Sequence, residues 1–287
     1  MKSAGFVYHQ PSSVDELLGL LAAHEDNRIL AGGQSLMPMM NMRFVQPEHL
    51  IDANRVDGLN YIREESNWLR IGAMTRQKTL MQSDAVTRHC PLMRVALQHV
   101  GHFQTRNRGT IGGSLCHLDP AAELPLISLL YDASLTVRSA AETRTISASE
   151  WPLAYMLPAI GPDEALIEIA LPVGADWTHQ GFFELARRRG DFAIASAAVL
   201  LSISDGIIRK AAVALGAVTQ TPCRLTDVEA LLVGQRADAQ TIAAATAQAA
   251  KIEAFSDAYY SAQYRQRMAG VAVERALNAA LGAPDHG

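Results

Sequence analysis

The chain opens with apolar positions at helical spacing that give way to short apolar runs. Ser13-Val14-Asp15-Glu16 has the form of a capping box, and Leu17, Leu18, Leu20 and Leu21 follow on one helix face. This predicts an amphipathic helix ending near Glu25-Asp26-Asn27. Arg28-Ile29-Leu30-Ala31 then reads as a buried strand that delivers a glycine pair, Gly32-Gly33. Residues 36–43 begin apolar and Met-rich, and Pro47 followed by His49-Leu50-Ile51-Asp52 predicts a turn into a second short strand. The outcome is a small β-α-β unit. Its methionines, Met37, Met39, Met40 and Met42, read as soft filling of a core beside a loop.

From Ile62 onward the period changes. Residues 68–73 alternate as a strand, Thr75 is placed as the cap of a helix through Leu80, and Pro91 opens a helix to Val100 that stops at Gly101. The polar, basic stretch 102–108 is read as running directly into a second glycine turn. Strands are expected at 135–138 and 165–171, the latter closed by Pro172, giving an α+β middle part and a linker at 172–177. Beyond it come three strands at 182–186, 194–203 and 207–218, with Asp205-Gly206 turning the last two into a hairpin. The tail is helical over 227–232, 241–252 and 260–281. The expected domains are 1–55, 56–176 and 177–287.

Two segments carry the candidate chemistry: Ala31-Gly32-Gly33-Gln34-Ser35-Leu36 and Gly109-Thr110-Ile111-Gly112-Gly113-Ser114. A glycine pair followed by Ser or Thr lets bare backbone approach an anion, since no Cβ intrudes and successive N–H groups can converge on phosphate oxygens. Two such turns far apart in the chain suggest one diphosphate held from both sides. Neither reads as the G-x-G-x-x-G of a Rossmann turn or the Gly-Lys-Ser/Thr of a P-loop. Backbone donors are expected at Gly32, Gly33, Ser35, Gly112 and Gly113, with hydroxyls from Ser35, Thr110 and Ser114. Arg106 and Arg108 read either as screening charges for a diphosphate or as solvated loop residues. Arg187-Arg188-Arg189 reads either as an exposed turn or as a phosphate or partner contact.

Composition narrows the field. A net charge of −4 over 287 residues gives no electrostatic reason for a nucleic-acid partner. No apolar run is long enough for membrane insertion, and Met1-Lys2-Ser3-Ala4-Gly5-Phe6 lacks an apolar signal core, so the expected location is cytoplasmic. Cys90, Cys116 and Cys223 are scattered, without partner histidines at zinc spacing. They read as packing residues, Cys116 included, although it follows the second glycine segment. Three cysteines cannot hold an iron–sulfur cluster, and no residue is assigned to a metal.

The two glycine segments, together with Arg106-Asn107-Arg108, Asp119-Pro120-Ala121-Ala122-Glu123-Leu124-Pro125 and Arg188-Arg189-Gly190-Asp191-Phe192-Ala193, occur in an order that resembles the FAD-binding medium subunit of molybdenum hydroxylases. That is the family of carbon monoxide dehydrogenase, quinoline oxidoreductase and the flavin domain of xanthine dehydrogenase. The resemblance runs from Phe6-Val7-Tyr8-His9 to the final helix. It implies an α+β fold: a two-part FAD-binding domain of the vanillyl-alcohol-oxidase (PCMH) type, then a C-terminal domain with an antiparallel sheet and helices. It implies that Ala31, Gly32, Gly33, Gln34, Ser35 and Leu36, with Gly109, Thr110, Ile111, Gly112, Gly113 and Ser114, hold the FAD pyrophosphate. Glu123, with Asp119 nearby, would meet the ribityl chain, Glu standing where some members have the shorter Asp; Leu166 or Ile167 would back the isoalloxazine ring.

The implied function is an oxidoreductase subunit that is inactive on organic substrate by itself. A large subunit would bear the molybdopterin-type molybdenum cofactor, and a small subunit two iron–sulfur clusters of the 2Fe-2S type. Electrons would pass through FAD to an external acceptor, in an assembly that the family suggests is a dimer of heterotrimers. Arg106-Asn107-Arg108 and Ser114-Leu115-Cys116-His117 look closer to members acting on N-heteroaromatic compounds than to the carbon monoxide enzyme. One alternative is a stand-alone oxidase of the vanillyl-alcohol-oxidase type. The short segment after Pro172 argues against the substrate-capping domain it needs. A binding module that has lost its flavin is the other, and the intact Ser and Thr donors beside the glycines argue against it.

Overall fold

The computed structural model describes residues 2–282; Met1 and residues 283–287, the outer ends of the first and third expected domains, lie outside the described residues. Three larger sheets organise the described residues, beside a two-stranded ribbon of Pro152–Ala154 and Leu157–Pro158. The first is parallel, with Val7–His9, His49–Asp52 and Asn27–Leu30 side by side in that order. The capping signal is obeyed: Ser13 accepts from the Glu16 amide and opens the helix Val14–Ala23. The Glu16 carboxylate closes the box on Ser12, whose amide donates to it at 2.8 Å. Leu17, Leu18 and Leu21 are buried in one cluster with Ile51, Val56, Leu59 and Met74. The strand Val7–His9 adds to the expected β-α-β unit; it is three residues long, too short for an alternating pattern to announce.

The middle sheet is antiparallel, in the order Ile62–Glu65, Trp68–Gly72, Ala165–Pro172, Ser134–Arg138, Thr143–Ser147. Between Trp68–Gly72 and Ser134–Arg138 the chain runs through the helices Gln77–Gln82, Asp84–His89, Pro91–Leu97, Phe103–Arg108, Ile111–His117 and Glu123–Leu130. Three expectations change here. Thr75 caps nothing: Arg76 holds the N-cap position, and the buried Thr75 hydroxyl donates to the Tyr61 carbonyl at 2.9 Å and accepts from the Tyr61 amide at 3.2 Å. The stretch 102–108 is a helix, Phe103–Arg108, where a polar loop was expected. The second glycine pair is no free turn, because it forms the first turn of Ile111–His117, with Thr110 as N-cap accepting from Gly113.

The third sheet is antiparallel, His179–Ala186, Ala193–Ser204, Ile207–Gly216 and Cys223–Arg224, one short strand more than the three expected. Asp205 and Gly206 both take positive φ, 54° and 72°, the conformation a two-residue hairpin turn requires. Residues of alternate parity in Ala193–Ser204 go to different cores. Ala198 and Leu200 join the central cluster with Ala212 and Ala214, while Ala195, Ala197, Val199 and Leu201 join a second cluster with Ala272, Val273 and Ala276 of the helix Ala262–Ala280. Burial on both faces explains why this strand reads as a continuous apolar run. The helix Glu123–Leu130 is buried at all eight positions, packed against the third sheet and the helices Pro91–Leu97 and Ile111–His117. Thr226–Leu232 and Ala239–Ala249 complete the described tail. Among the described residues no helix is long and apolar enough to cross a membrane.

Candidate functional site

The two glycine segments meet. A Cβ on Gly32 would collide with the Arg108 carbonyl oxygen and lie 2.8 Å from the Gly109 Cα. A Cβ on Gly113 would lie 3.4 Å from the Ala31 Cβ. Only backbone without a side chain can pack this closely, so Gly32 is required by the contact itself, whereas a Cβ on Gly109 would run into the Gln77 side-chain amide at 2.5 Å. Gly33 has a different reason to be glycine, a φ of +73° that turns the chain into the helix Leu36–Asn41. Gly112 packs on Ala73, where a Cβ would lie 2.7 Å from the Ala73 carbonyl oxygen.

The donors divide unequally between the segments. Gly112 gives its N–H to the Ala73 carbonyl at 2.9 Å, Gly113 to the Thr110 hydroxyl at 3.0 Å, and Ser114 to the Thr110 carbonyl at 3.2 Å. The amides of Gly32, Gly33, Gln34 and Ser35 make no hydrogen bond among the described residues. Four open backbone donors therefore lie on the first segment, against one, the Thr110 amide, on the second. The second supplies the surface against which it is set.

A network that the sequence reading missed fastens the two. The Asn54 amide nitrogen donates to the Ala31 carbonyl at 2.9 Å, and the Asn54 backbone N–H donates to Asp52 at 2.9 Å. Tyr8 donates its hydroxyl to Asp52 at 2.5 Å. Arg76 donates one guanidinium nitrogen to the Asn54 side-chain oxygen at 2.5 Å and another to the Arg108 carbonyl. Burial works to raise the Asp52 carboxyl, but hydrogen bonds from Tyr8 and Asn54 and the charge of Arg108 outweigh it and hold the group below its ordinary value. The available signal was Asp52-Ala53-Asn54 directly after a strand, a pattern suited to an Asx-type turn.

Leu166 and Ile167 sit side by side on Ala165–Pro172 but face different ways. Leu166 is buried in the central core, and Ile167 is half-buried in the cluster that contains Ala31. The Ile167 carbonyl accepts from Ala73, the residue beneath Gly112, at 3.0 Å. Asp119 and Glu123 lie beyond the far end of the seven-residue helix Ile111–His117, which at 1.5 Å per residue is about 10 Å long. Asp119 accepts from the Ala121 amide at 2.8 Å. Glu123 is buried, and burial, followed by the charges of Glu184 and Asp119, raises its carboxyl far above the ordinary range.

The remaining candidates lie outside this network. Arg106 donates to the Val100 carbonyl at 2.7 Å and closes its own turn, whereas Arg108 is exposed. Arg187, Arg188 and Arg189 are exposed, the first two paired with Asp191 at 3.2 and 3.6 Å. Cys116 packs against the central core, and burial pushes its thiol up to about 12, which removes it as a nucleophile near neutral pH.

Residues 3–174 match the family described as the FAD binding domain in molybdopterin dehydrogenase, and residues 180–280 match the CO dehydrogenase flavoprotein C-terminal domain. The chain is 36% identical over 279 residues to the nicotine 6-hydroxylase medium subunit of Paenarthrobacter nicotinovorans, covering 96% of this chain and 98% of the relative. It is 38% identical over 277 residues to the carbon monoxide dehydrogenase medium chain of Hydrogenophaga pseudoflava, covering 96% of each. Its fold matches that of a chain of carbon monoxide dehydrogenase from Hydrogenophaga pseudoflava with a TM-score of 0.95, at 38% identity and over 98% of this chain and 99% of that one. A chain of quinoline 2-oxidoreductase from Pseudomonas putida 86 matches with a TM-score of 0.94, at 35% identity and over 99% of each. The glycine segments, the three sheets and these likenesses along nearly the whole chain agree: the protein belongs to the FAD-binding medium subunits of the molybdenum hydroxylase family.

Proposed function

We propose that this chain is the electron outlet of a heteromeric molybdenum hydroxylase, receiving electrons from the iron–sulfur clusters of a small partner subunit and delivering them through FAD to an external acceptor. The observation that carries this reading is the direct abutment of the two glycine segments. FAD, when bound, supplies redox chemistry in which electrons are exchanged singly or in pairs. The residues present suit such a ligand. The free amides of Gly32, Gly33, Gln34 and Ser35 would hold the diphosphate, and Asp52, the nearest carboxylate of the network, is already occupied by Tyr8 and Asn54. Ile167 offers a half-buried apolar surface beside them, and Asp119 and Glu123, one short helix away, stand where an extended polar chain would reach.

Family membership decides against the stand-alone oxidase reading. The organic substrate would be handled by the large subunit, and identities of 36% to a nicotine enzyme and 38% to a carbon monoxide enzyme do not separate those substrate classes. A dimer of heterotrimers in the cytoplasm is the arrangement we infer. Purified protein should show oxidised-flavin absorbance, with FAD released by acid; FMN or a covalent flavin would overturn the reading. Gly33→Val should lose FAD, because valine is strained at a φ of +73°. The chain without its partners should oxidise no organic substrate, and turnover by it alone would refute the subunit role.

A further inference from the structure

Beside the first sheet, three histidines come together. His49 begins the strand whose last residue, Asp52, joins the network under Ala31. His9 ends the neighbouring strand, and His24 follows the last turn of the helix Val14–Ala23. The crossover helix runs back toward the start of the parallel strands, so its C-terminal end meets that edge. Residues far apart in sequence are thereby gathered without any local ligand spacing.

The rings of His24 and His49 are stacked, 3.8 Å between centroids and 12° from parallel; His9 lies 5.0 Å from His24 and 5.2 Å from His49. His9 Nε2 and His49 Nδ1 are 2.9 Å apart, and one ring nitrogen from each histidine lies within 4.8 Å of the others. All three side chains are half-buried. Three imidazoles at this spacing bring one ring nitrogen each to a common region. A tetrahedral ion with bonds of 2.0–2.1 Å needs nitrogens about 3.3 Å apart with ring planes converging on it, so the stacked rings of His24 and His49 must rotate apart to close the set. The helix C-terminus adds partial negative charge on the same side.

We propose that His9, His24 and His49 form a binding site for a borderline divalent transition ion, Zn2+ foremost, with water completing the coordination. An all-imidazole set suits Zn2+, Ni2+ and Cu2+ and disfavours Mg2+ and Ca2+, which require oxygen ligands. The ion replaces the His9–His49 hydrogen bond and ties the three-residue strand Val7–His9 to the helix end. The site is separate from the flavin reading and does not depend on it. No residue was assigned to a metal from the sequence; the fold supplies the ligand set.

The test uses the untagged full-length chain, stripped with chelator and titrated with zinc chloride by calorimetry, with metal analysis after desalting. One saturable equivalent is expected, together with a rise in melting temperature. His24→Asn should weaken binding by more than the roughly 10- to 100-fold that loss of an outer-shell partner costs, and should abolish the thermal shift. The combined H9N, H24N and H49N variant should lose the saturable site. Circular dichroism establishes that each variant is folded, and His24→Asn, changed outside helix and strand, carries the test where His49→Asn fails to fold. Absence of a saturable site in the wild type, or equal affinity in His24→Asn, overturns the proposal.

Discussion

Asn54 holds both sides of the glycine contact, giving a hydrogen bond to Ala31 on one segment and receiving one from Arg76, which also binds the Arg108 carbonyl on the other. Asn54→Ala leaves a half-buried carbonyl and guanidinium short of a partner, at a cost of about 0.5–1.5 kcal/mol for each hydrogen bond lost. Its melting temperature should fall, and FAD release, followed by flavin fluorescence, should be at least tenfold faster than in the wild type. Wild-type FAD retention in that variant would mean the segments align without the network. Glu123 gives a second residue-scale prediction. Its carboxyl is raised from an ordinary value of 4.5, first by burial and then by Glu184 and Asp119, so between 4.5 and the raised value the folded chain holds a proton that the unfolded chain has released. The stability this group contributes is full at low pH and is lost as pH rises through that window. Glu123→Gln, which cannot ionise, should flatten the decline in melting temperature from about pH 5 upward. Parallel curves for variant and wild type would remove Glu123 as the cause.

Among the elements, the helix Ala262–Ala280 lies on the third sheet so closely that a Cβ on Gly181 would run into the Ala276 carbonyl and sit 2.7 Å from the Ala280 amide nitrogen. Gly181→Ala must push helix and strand apart, and overpacking of this kind costs about 1–3 kcal/mol. A drop in thermal or urea stability should follow while acid-released FAD per folded chain stays unchanged; unaltered stability would show that the helix has slack. Gly181 was silent in the sequence, because nothing in a strand pattern says that a helix will cross there. What the sequence did reveal had local causes. The Ser13 cap, the Asp205-Gly206 turn and Pro91 at the first position of its helix each follow from a side chain acting on nearby backbone. Thr75 misled because its hydroxyl serves Tyr61, a partner fourteen residues away, and 102–108 misled because its helix buries none of its residues and so shows no apolar face. At the site, the glycine pairs were legible as bare backbone. The division of donors was not, since the partners of Gly112 and Gly113 are set by Ala73 and by the Thr110 cap.

For the molecule as a whole, the three sheets are unequally joined. The middle and third share one core: Ala198, Leu200, Ala212 and Ala214 cluster with Leu69, Ile71, Leu135 and Ile169, and the buried helix Glu123–Leu130 contributes to the same cluster. The first sheet is attached through a smaller cluster, in which Leu17, Leu18 and Ile51 meet Met74 and Ala165. Local opening free energy scales with the apolar contacts that must be broken, so the first sheet should open at lower cost than the other two, which should open together. A ligand that binds across the two glycine segments spans this weaker junction, and it stabilises the closed arrangement by mass action while adding nothing to the shared core. Hydrogen exchange on the chain with and without FAD should therefore show protection gained mainly in the strands Asn27–Leu30 and His49–Asp52 and the helix Val14–Ala23. Ala193–Ser204 should exchange slowly in both states, being paired on both edges and buried on both faces. Protection spread evenly over all three sheets would mean that the first is no looser than the rest, and that the ligand acts on a single cooperative body.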